Sequence, residues 1–265
     1  MSENGFTGIK RFTSGLYESG PMNEAMGDTF RPGGLALTER VAELAGLHSG
    51  SLALEVACGK GATSCFLSEK YGCRILGLDL SLKLIKLAQK RVLNSGSLIN
   101  VDVLIGDSEL LPFKNSVFDA VISECSVSLL PDKHGAAEEI KRVLKPEGKL
   151  VISDVILRSE INNRLKNQIT FASCISGAES VEGYIRLFED VGFEDTYVED
   201  HSEELKRLAW QILLRFGSFE NFSRKLLQDS SISETGCCVA SSKNVRQALR
   251  QAKPGYAVFS FTNPK

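Results

Sequence analysis

The segment Glu55-Val56-Ala57-Cys58-Gly59-Lys60-Gly61 decides the fold of this 265-residue chain. It completes a short apolar run over residues 51–57 and opens a helical pattern over residues 62–71. Small residues let the backbone turn tightly and approach a ligand closely. The free N–H groups at the start of a helix favour a polar ligand there. The segment therefore predicts a strand, a ligand-binding turn and a helix, in that order.

Carboxylates end the next two predicted strands. Strand patterns cover residues 74–79 and 101–106, and Asp79 and Asp107 stand where these strands end. The carboxyl ends of parallel strands meet at one edge of a sheet, so we expect both acids beside the turn at 57–61. A tight turn and helix-capping acids would explain any one of these features. The three features together favour a nucleoside site, with Asp79 accepting from ribose hydroxyls.

The turn fits a nicotinamide or flavin dinucleotide poorly. The dinucleotide fingerprint needs a glycine at position 64, where this chain has Ser64. That fingerprint also lacks an acid inside the strand, which Glu55 supplies here. These two mismatches argue for a different nucleoside-containing ligand.

Strand and helix signals alternate over residues 49–157, which predicts βαβ units and a parallel sheet. Ser81 is the expected N-cap of a helix that ends at Gly96, and a helix over 135–144 is expected to stop at residues 145–148. The remaining predicted strands cover 118–124, 149–156, 193–199 and 256–261. The remaining predicted helices cover 35–45, 158–192, a long stretch around Trp210 and Phe216, and 247–252. The last strand is expected to pair antiparallel with 193–199 at a sheet edge.

These patterns predict three regions. Residues 1–48 form an N-terminal helical cap, with Gly33-Gly34 as a hinge before its helix. Residues 49–200 form the ligand-binding core. Residues 201–265 form a helical insertion and a terminal strand that complete the same domain.

Composition excludes several classes of protein. With 31 basic and 33 acidic residues the net charge is −2, which argues against nucleic-acid and anionic-membrane partners. The sequence shows no secretory signal and no run of 18 apolar residues, so we expect no membrane span and a cytoplasmic protein. The chain has seven cysteines. Because this number is odd and the sequence shows no secretory signal, they are expected to be mostly free thiols. Three scattered histidines predict no metal site.

The chain resembles the class I S-adenosylmethionine-dependent methyltransferases. The segments that carry the resemblance are EVACGKG (55–61), GLDLS (77–81), IGDSELLPF (105–113), FDAVISE (118–124) and RVLKPEGKLVISD (142–154). The resemblance implies an α/β fold, a doubly wound and mostly parallel seven-stranded sheet of Rossmann-like type, with a reversed terminal hairpin. It also implies S-adenosylmethionine as the cofactor. One departure is Ala57, where the family has a glycine.

The resemblance also implies which residues bind the cofactor. Glu55, Gly59 and Gly61 would surround its methionine end, Asp79 its ribose, and Asp107 with Ser108 its adenine. Tyr17 is expected to contact the sulfonium, and Arg31 either the cofactor carboxylate or only the Gly33-Gly34 turn. The full expected set is Glu55, Ala57, Gly59, Gly61, Asp79, Leu80, Asp107, Ser108, Ser123, Tyr17 and Arg31.

Two cysteines are the candidate acceptor ligands. Cys125 precedes a Leu-Pro-Asp-Lys segment, and Cys174 begins a Cys-x-x-Gly-Ala segment. These stretches resemble the arsenite methyltransferases, where two thiolates hold a trivalent arsenic whose lone pair attacks the methyl group. Thiolates are soft ligands, which suits that chemistry.

The same stretches depart from that family. Glu124 and Ser128 stand where it has asparagines, and Ser19 stands where it has a third cysteine. The sequence leaves Cys58, Cys65 and the pair Cys237-Cys238 open as a third ligand. Free cysteines are often simply buried apolar residues, as we expect for Cys73.

The expected function is methyl transfer to a small molecule, with arsenite or another soft metalloid as the leading acceptor. The first alternative is carbon or oxygen methylation of an organic metabolite, as in the quinone-pathway enzymes, with Glu124 or Tyr17 as general base. The second is a cofactor-binding redox protein with Cys237-Cys238 as its sensor. The sequence leaves the oligomeric state open.

Overall fold

A computed structural model describes residues 3–96, 100–160, 174–175, 177–229 and 250–265, without the side chains of residues 3–7 and 227. Within these residues one seven-stranded sheet has the strand order β3-β2-β1-β4-β5-β7-β6. The strands are β1 (Leu52–Val56), β2 (Arg74–Asp79), β3 (Val101–Ile105), β4 (Phe118–Glu124), β5 (Leu144–Leu157), β6 (Glu194–Asp200) and β7 (Pro254–Thr262).

Neighbouring strands from β3 through β5 run parallel, and β7 runs antiparallel to both β5 and β6. This is the doubly wound, mostly parallel sheet that the sequence predicts. The predicted antiparallel pairing of the last strand with the strand near 193–199 is confirmed. β7 inserts between β5 and β6, so β6 forms the edge.

Helices cover both faces of the sheet, and three helices come before its first strand in the sequence. They are α1 (Glu3–Tyr17), α2 (Gly20–Met26), α3 (Gly34–Leu44), α4 (Ala62–Tyr71), α5 (Leu82–Ser95), α6 (Lys133–Val143), α7 (Val181–Glu189), α8 (Ser202–Phe216) and α9 (Phe219–Gln228). The predicted caps of α5 are confirmed, because the Ser81 hydroxyl accepts from the Leu84 N–H and Gly96 ends the helix with a positive φ.

Alternation along the strands creates two cores. In β4, Ala120 and Ile122 pack with α3 and α4, whereas Val121 points to the face that α6 and α7 cover. Successive side chains of a strand point to opposite faces, so a strand in the middle of the sheet must be apolar throughout. The sheet is therefore buried on both faces, and its carboxyl edge is left for a ligand.

Two predicted boundaries are wrong. Residues 145–148 are expected to separate α6 from the next strand, but they lie inside β5. There the Asn263 side chain donates to the carbonyls of Leu144 and Lys145 at 3.1 Å each. The long helical stretch around Trp210 divides at Gly217 into α8 and α9. Of the helical stretch predicted over 158–192, α7 is confirmed, whereas residues 161–173 and 176 lie outside the described residues. Most of the helix predicted at 247–252 also lies outside them, as do Cys237 and Cys238.

Among the helices that the structure describes, none combines the length and the apolar character needed to cross a bilayer.

We expect Asn263→Ala to lower the free energy of unfolding by about 1–3 kcal/mol, because two backbone carbonyls at the start of β5 lose their donor. Denaturant unfolding measures this change. Asn94→Ala, at an exposed position of α5, is the control and should change the stability by no more than about 0.5 kcal/mol. Equal effects of the two variants would contradict the role of Asn263.

Candidate functional site

An open cavity lies at the carboxyl edge of the sheet. The ends of β1, β2, β3 and β4 form its floor, and α1 and residues 28–31 form its roof. Its lining includes Lys10, Thr13, Ser14, Tyr17, Phe30, Arg31, Glu55, Ala57, Gly59, Asp79, Leu80, Asp107, Ser108, Glu124 and Cys125. The structure thus brings most of the sequence-predicted site residues to one place.

The turn after β1 has left-handed backbone at Ala57, Gly59 and Gly61, with φ of 58°, 53° and 69°. This conformation strains a residue that has a Cβ, and the strain is small for alanine. At Gly61 a Cβ would stand 3.0 Å from the Ala88 Cβ, so glycine also permits the close approach of α5. The departure at Ala57 therefore keeps the conformation of the turn.

The Asp79 carboxylate holds this turn in place. One of its oxygens accepts from the Gly59 N–H at 2.8 Å and the other from the Ser81 N–H at 2.8 Å. Burial raises the pKa of Asp79, while the Ser81 and Gly59 N–H groups act to lower it. A carboxylate oxygen has a second lone pair, so Asp79 can also accept from a ligand in the cavity. Leu80 beside it is partly exposed toward that ligand position.

Lys10 of α1 closes the end of the cavity near β3. Its ammonium lies 2.6 Å from Asp107 Oδ2 and 2.5 Å from Glu109 Oε2. Burial acts to lower the pKa of Lys10, but its hydrogen bonds to Asp107 and Glu109 outweigh this and raise it. Lys10 is not among the site residues predicted from the sequence, because no local pattern links α1 to the end of β3.

Arg31 and Glu124 form a buried ion pair, with Nη2 and Oε2 2.9 Å apart. Hydroxyl groups of Thr38 and Thr63 donate to the same carboxylate at 3.1 and 3.0 Å. Arg31 is 8% exposed, so the prediction that it only solvates the Gly33-Gly34 turn is wrong. Its buried Nε has no hydrogen-bond partner among the described residues.

Glu55 lies at the inner wall of the cavity and is buried. It accepts a short hydrogen bond from the Ser64 hydroxyl. A dinucleotide site would have glycine at position 64. Here the Ser64 side chain instead donates a hydrogen bond to Glu55. Burial, the largest influence, raises the pKa of Glu55 to about 8. At neutral pH this group is mostly a neutral hydrogen-bonding acid.

Cys125 and Cys174 meet beside the cavity. Their sulfurs lie 3.8 Å apart, and the Tyr17 hydroxyl lies 3.2 Å from the Cys174 sulfur. Both cysteines are buried, and both have left-handed backbone with φ of 57°. The hydrogen bond to Cys174 and burial raise the pKa of the Cys125 thiol well above its usual value. Strained backbone of this kind is concentrated at functional sites.

Other predicted site residues lie elsewhere. Ser123 does not line the cavity, and its hydroxyl is hydrogen-bonded to Ser126, which does. Ser19 caps α2 and donates to the Leu16 carbonyl at 2.6 Å, so it does not join the thiols. The Cys65 sulfur accepts from Ser95, and Cys73 donates to the Leu67 carbonyl.

The candidate third ligands do not gather at the thiol pair. Cys58 lines the cavity near Glu55 and Asp79, and these carboxylates, after burial, raise the pKa of its thiol. Within the described part of the chain, no three or more of the His, Cys, Asp and Glu side chains are grouped so that they could hold a metal ion. The pair of thiols stands without a third such ligand there.

Comparisons with known proteins agree with this geometry. The family described as a methyltransferase domain matches residues 54–152. An uncharacterized protein of Haemophilus influenzae is 31% identical over 182 residues, which span 68% of this chain and 72% of that protein. The arsenite methyltransferase of Halobacterium salinarum is 27% identical over 169 residues, 62% of this chain and 43% of that enzyme.

A solved structure shares the fold. The phosphoethanolamine N-methyltransferase 2 of Haemonchus contortus, in complex with S-adenosyl-L-methionine, superposes with a TM-score of 0.73 at 19% identity. The superposition covers 92% of this chain and 56% of that one. At this identity the match establishes the arrangement of strands and helices.

We expect the free energy of unfolding to fall as the pH rises from about 5 to about 8, because the folded pKa of Glu55 is raised above its unfolded value. Between these values folded Glu55 keeps a proton that the unfolded chain releases. In Glu55→Gln this decline should be smaller, as measured by urea unfolding at several pH values. Glu138→Gln, at an exposed carboxylate, should follow the wild-type curve. A Glu55→Gln curve parallel to the wild type would contradict the raised pKa.

Proposed function

We propose that this chain, which belongs to the class I S-adenosylmethionine-dependent methyltransferases, methylates a soft trivalent metalloid, with arsenite as the leading acceptor. The observation that carries the proposal is the thiol pair, two buried sulfurs 3.8 Å apart beside the cofactor cavity. Cys125 directly follows β4 and lines the cavity itself. Soft ligands at this position suit a soft acceptor.

The residues of the cavity fit the cofactor. Asp79 would hold the ribose, Asp107 and Ser108 the adenine, and the free Nε of Arg31 the carboxylate. Glu55 and the turn at 57–61 would surround the methionine end. S-adenosylmethionine supplies a methyl group on a sulfonium cation when it is bound. The chain then needs only to bind it, exclude water and align an acceptor.

The burial of the thiol pair suits a neutral acceptor. Arsenic(III) hydroxide exchanges a hydroxide for a thiol sulfur, and the thiol proton leaves with the hydroxide as water. No charge is created in the buried site, which avoids the cost of burying an ion. Cys125 and Cys174 would each form one arsenic–sulfur bond and hold the arsenic lone pair toward the methyl donor.

The residues that follow Cys125 close the site from another side. Leu129, Leu130 and Pro131 line the cavity and present mainly apolar surface. Apolar walls exclude water from the methyl donor, which protects it from hydrolysis. Phe30 contributes to the roof.

The similarity to a haloarchaeal arsenite methyltransferase supports this acceptor, within a shared region of 43% of that enzyme. Glu124 and Ser128, which differ from the arsenite methyltransferase pattern, each make a defined contact in the structure. Glu124 is paired with Arg31, and the Ser128 N–H donates to the buried Asp154 carboxylate at 2.9 Å. Both residues shape the loop that carries Cys125.

We expect purified protein with S-adenosylmethionine and glutathione to release S-adenosylhomocysteine only when arsenite is added. Cys125→Ser and Cys174→Ser should each lower this rate by about a hundredfold, because a hydroxyl is a poor ligand for a soft centre. Calorimetry should show that both variants still bind S-adenosylhomocysteine. Cys65→Ser, at a buried thiol hydrogen-bonded to Ser95 on α5, is the matched control and should retain its activity.

Two results would contradict arsenite as the acceptor. If cofactor binding is intact and arsenite produces no release, or if Cys125→Ser and Cys174→Ser turn over normally, the thiol pair does not hold the acceptor.

An organic amine or alcohol is the second candidate acceptor, favoured by the apolar wall of the cavity and by the fold shared with a phosphoethanolamine N-methyltransferase. This candidate needs a general base, and neither of the predicted residues suits that role. Glu124 already accepts from Arg31, Thr38 and Thr63, and burial raises the pKa of Tyr17 well above its usual value. S-adenosylhomocysteine release with phosphoethanolamine and no arsenite would favour this candidate. The redox alternative rests on Cys237 and Cys238, outside the described residues.

A further inference from the structure

One face of α1 forms part of the roof of the cavity. The residues of α1 that line the cavity are Lys10, Thr13, Ser14 and Tyr17. Their spacing of three, four and seven positions places them on one side of a helix. Phe12 and Leu16 are buried in an apolar cluster with Met22 of α2. This packing fixes which side of α1 is turned toward the cavity.

The Thr13 hydroxyl has no hydrogen-bond partner in the described part of the chain, although its oxygen is buried. A threonine inside a helix can donate to the carbonyl four residues earlier. Thr38 of α3 does so, with its hydroxyl 3.2 Å from the Gly34 carbonyl oxygen. A buried hydroxyl without a partner costs free energy. Such a group in the lining of a cavity therefore indicates that a ligand supplies the partner.

A second atom of this kind belongs to the same roof. Arg31 Nε is buried without a hydrogen-bond partner among the described residues, and Arg31 also lines the cavity. On the floor, by contrast, the carboxylates of Asp79 and Glu124 both accept hydrogen bonds within the protein. The roof is thus where lining side chains keep unused hydrogen-bonding capacity.

The position of Thr13 along α1 indicates which part of a bound nucleoside lies below it. Lys10 contacts Asp107 at the end of the cavity expected to hold adenine, and Tyr17 contacts Cys174 at the acceptor end. With a rise of about 1.5 Å per residue, Thr13 stands about 4.5 Å along the helix from Lys10 and about 6 Å from Tyr17. In S-adenosylmethionine the ribose lies between the adenine and the sulfonium. Thr13 is therefore level with the ribose.

We infer that Thr13 is a cofactor-binding residue, whose hydroxyl hydrogen-bonds to the ribose from the roof of the cavity. The inference rests on the cofactor placement in the proposed function and not on the identity of the acceptor. Asp79 on the floor can only accept from the ribose hydroxyls when it is ionised, so their oxygens remain free to accept from Thr13. The ribose is then held from both sides, by β2 and by α1.

The test is calorimetry of the full-length protein with S-adenosylhomocysteine. In Thr13→Val, which keeps the shape of the side chain and removes the hydroxyl, the Kd should rise about three- to tenfold, the factor that one hydrogen bond supplies. The Kd for 5′-methylthioadenosine, which has the same nucleoside but no amino acid, should rise by the same factor.

Thermal unfolding without ligand separates a binding role from a structural one. A hydroxyl that supports the fold would lower the Tm when removed. Removal of a buried hydroxyl without a partner should instead leave the Tm of ligand-free Thr13→Val unchanged or raise it. The increase in Tm caused by S-adenosylhomocysteine should be smaller than in the wild type, because the ligand binds more weakly.

Two further variants complete the comparison. Thr13→Ser retains the hydroxyl and should keep the Kd within about twofold of the wild type. Thr196→Val is the matched control, since the Thr196 hydroxyl donates to Glu189 at 2.9 Å at an exposed position of β6. It should leave both Kd values unchanged.

Three results would overturn the inference. They are an unchanged Kd in Thr13→Val, an equal loss of affinity in Thr13→Ser, and a loss for S-adenosylhomocysteine that 5′-methylthioadenosine does not share. A wrong acceptor is recognised separately, because then the pattern of Kd values holds and arsenite produces no turnover.

Discussion

The buried ion pair between Arg31 and Glu124 is the interaction on which the rest of the site depends. It joins the segment before α3 to the carboxyl end of β4, next to Cys125. A buried charge without its partner costs several kcal/mol, so the N-terminal segment must stay in place over the sheet edge. Thr38 of α3 and Thr63 of α4 also donate hydrogen bonds to the Glu124 carboxylate. The roof of the cavity is thus fixed to its floor from the inside.

With the roof in place, one face of α1 serves both ends of the cavity. Lys10 contacts Asp107 at the end expected to hold adenine, and Tyr17 contacts Cys174 at the acceptor end. These residues are seven positions apart and so lie about 10 Å apart on the same side of a helix. Phe12 and Leu16, on the opposite side, pack with Met22 of α2. A single helix therefore joins the two halves of the proposed reaction site.

Backbone strain marks the same region. Ala57, Cys125 and Cys174 all have left-handed backbone, which residues other than glycine adopt at a cost. Two of them carry the thiols, and the third lies in the turn after β1. The hydrogen bonds of Asp79 and the packing around α5 compensate for this cost at the turn. The departure from glycine at position 57 is accommodated by the surrounding contacts rather than by a change of conformation.

The amino-acid sequence by itself determined the parallel sheet, the turn at 57–61, the caps of α5 and the acids at the strand ends. These follow from short-range patterns, since periodicity and turn chemistry depend on neighbouring residues. It did not determine the partners of Arg31, Glu124 and Lys10, or the course of residues 145–148 into β5. Only the tertiary structure brought Tyr17 to Cys174, across 157 residues. Such contacts depend on how distant elements pack, and no local pattern specifies which side chains then meet.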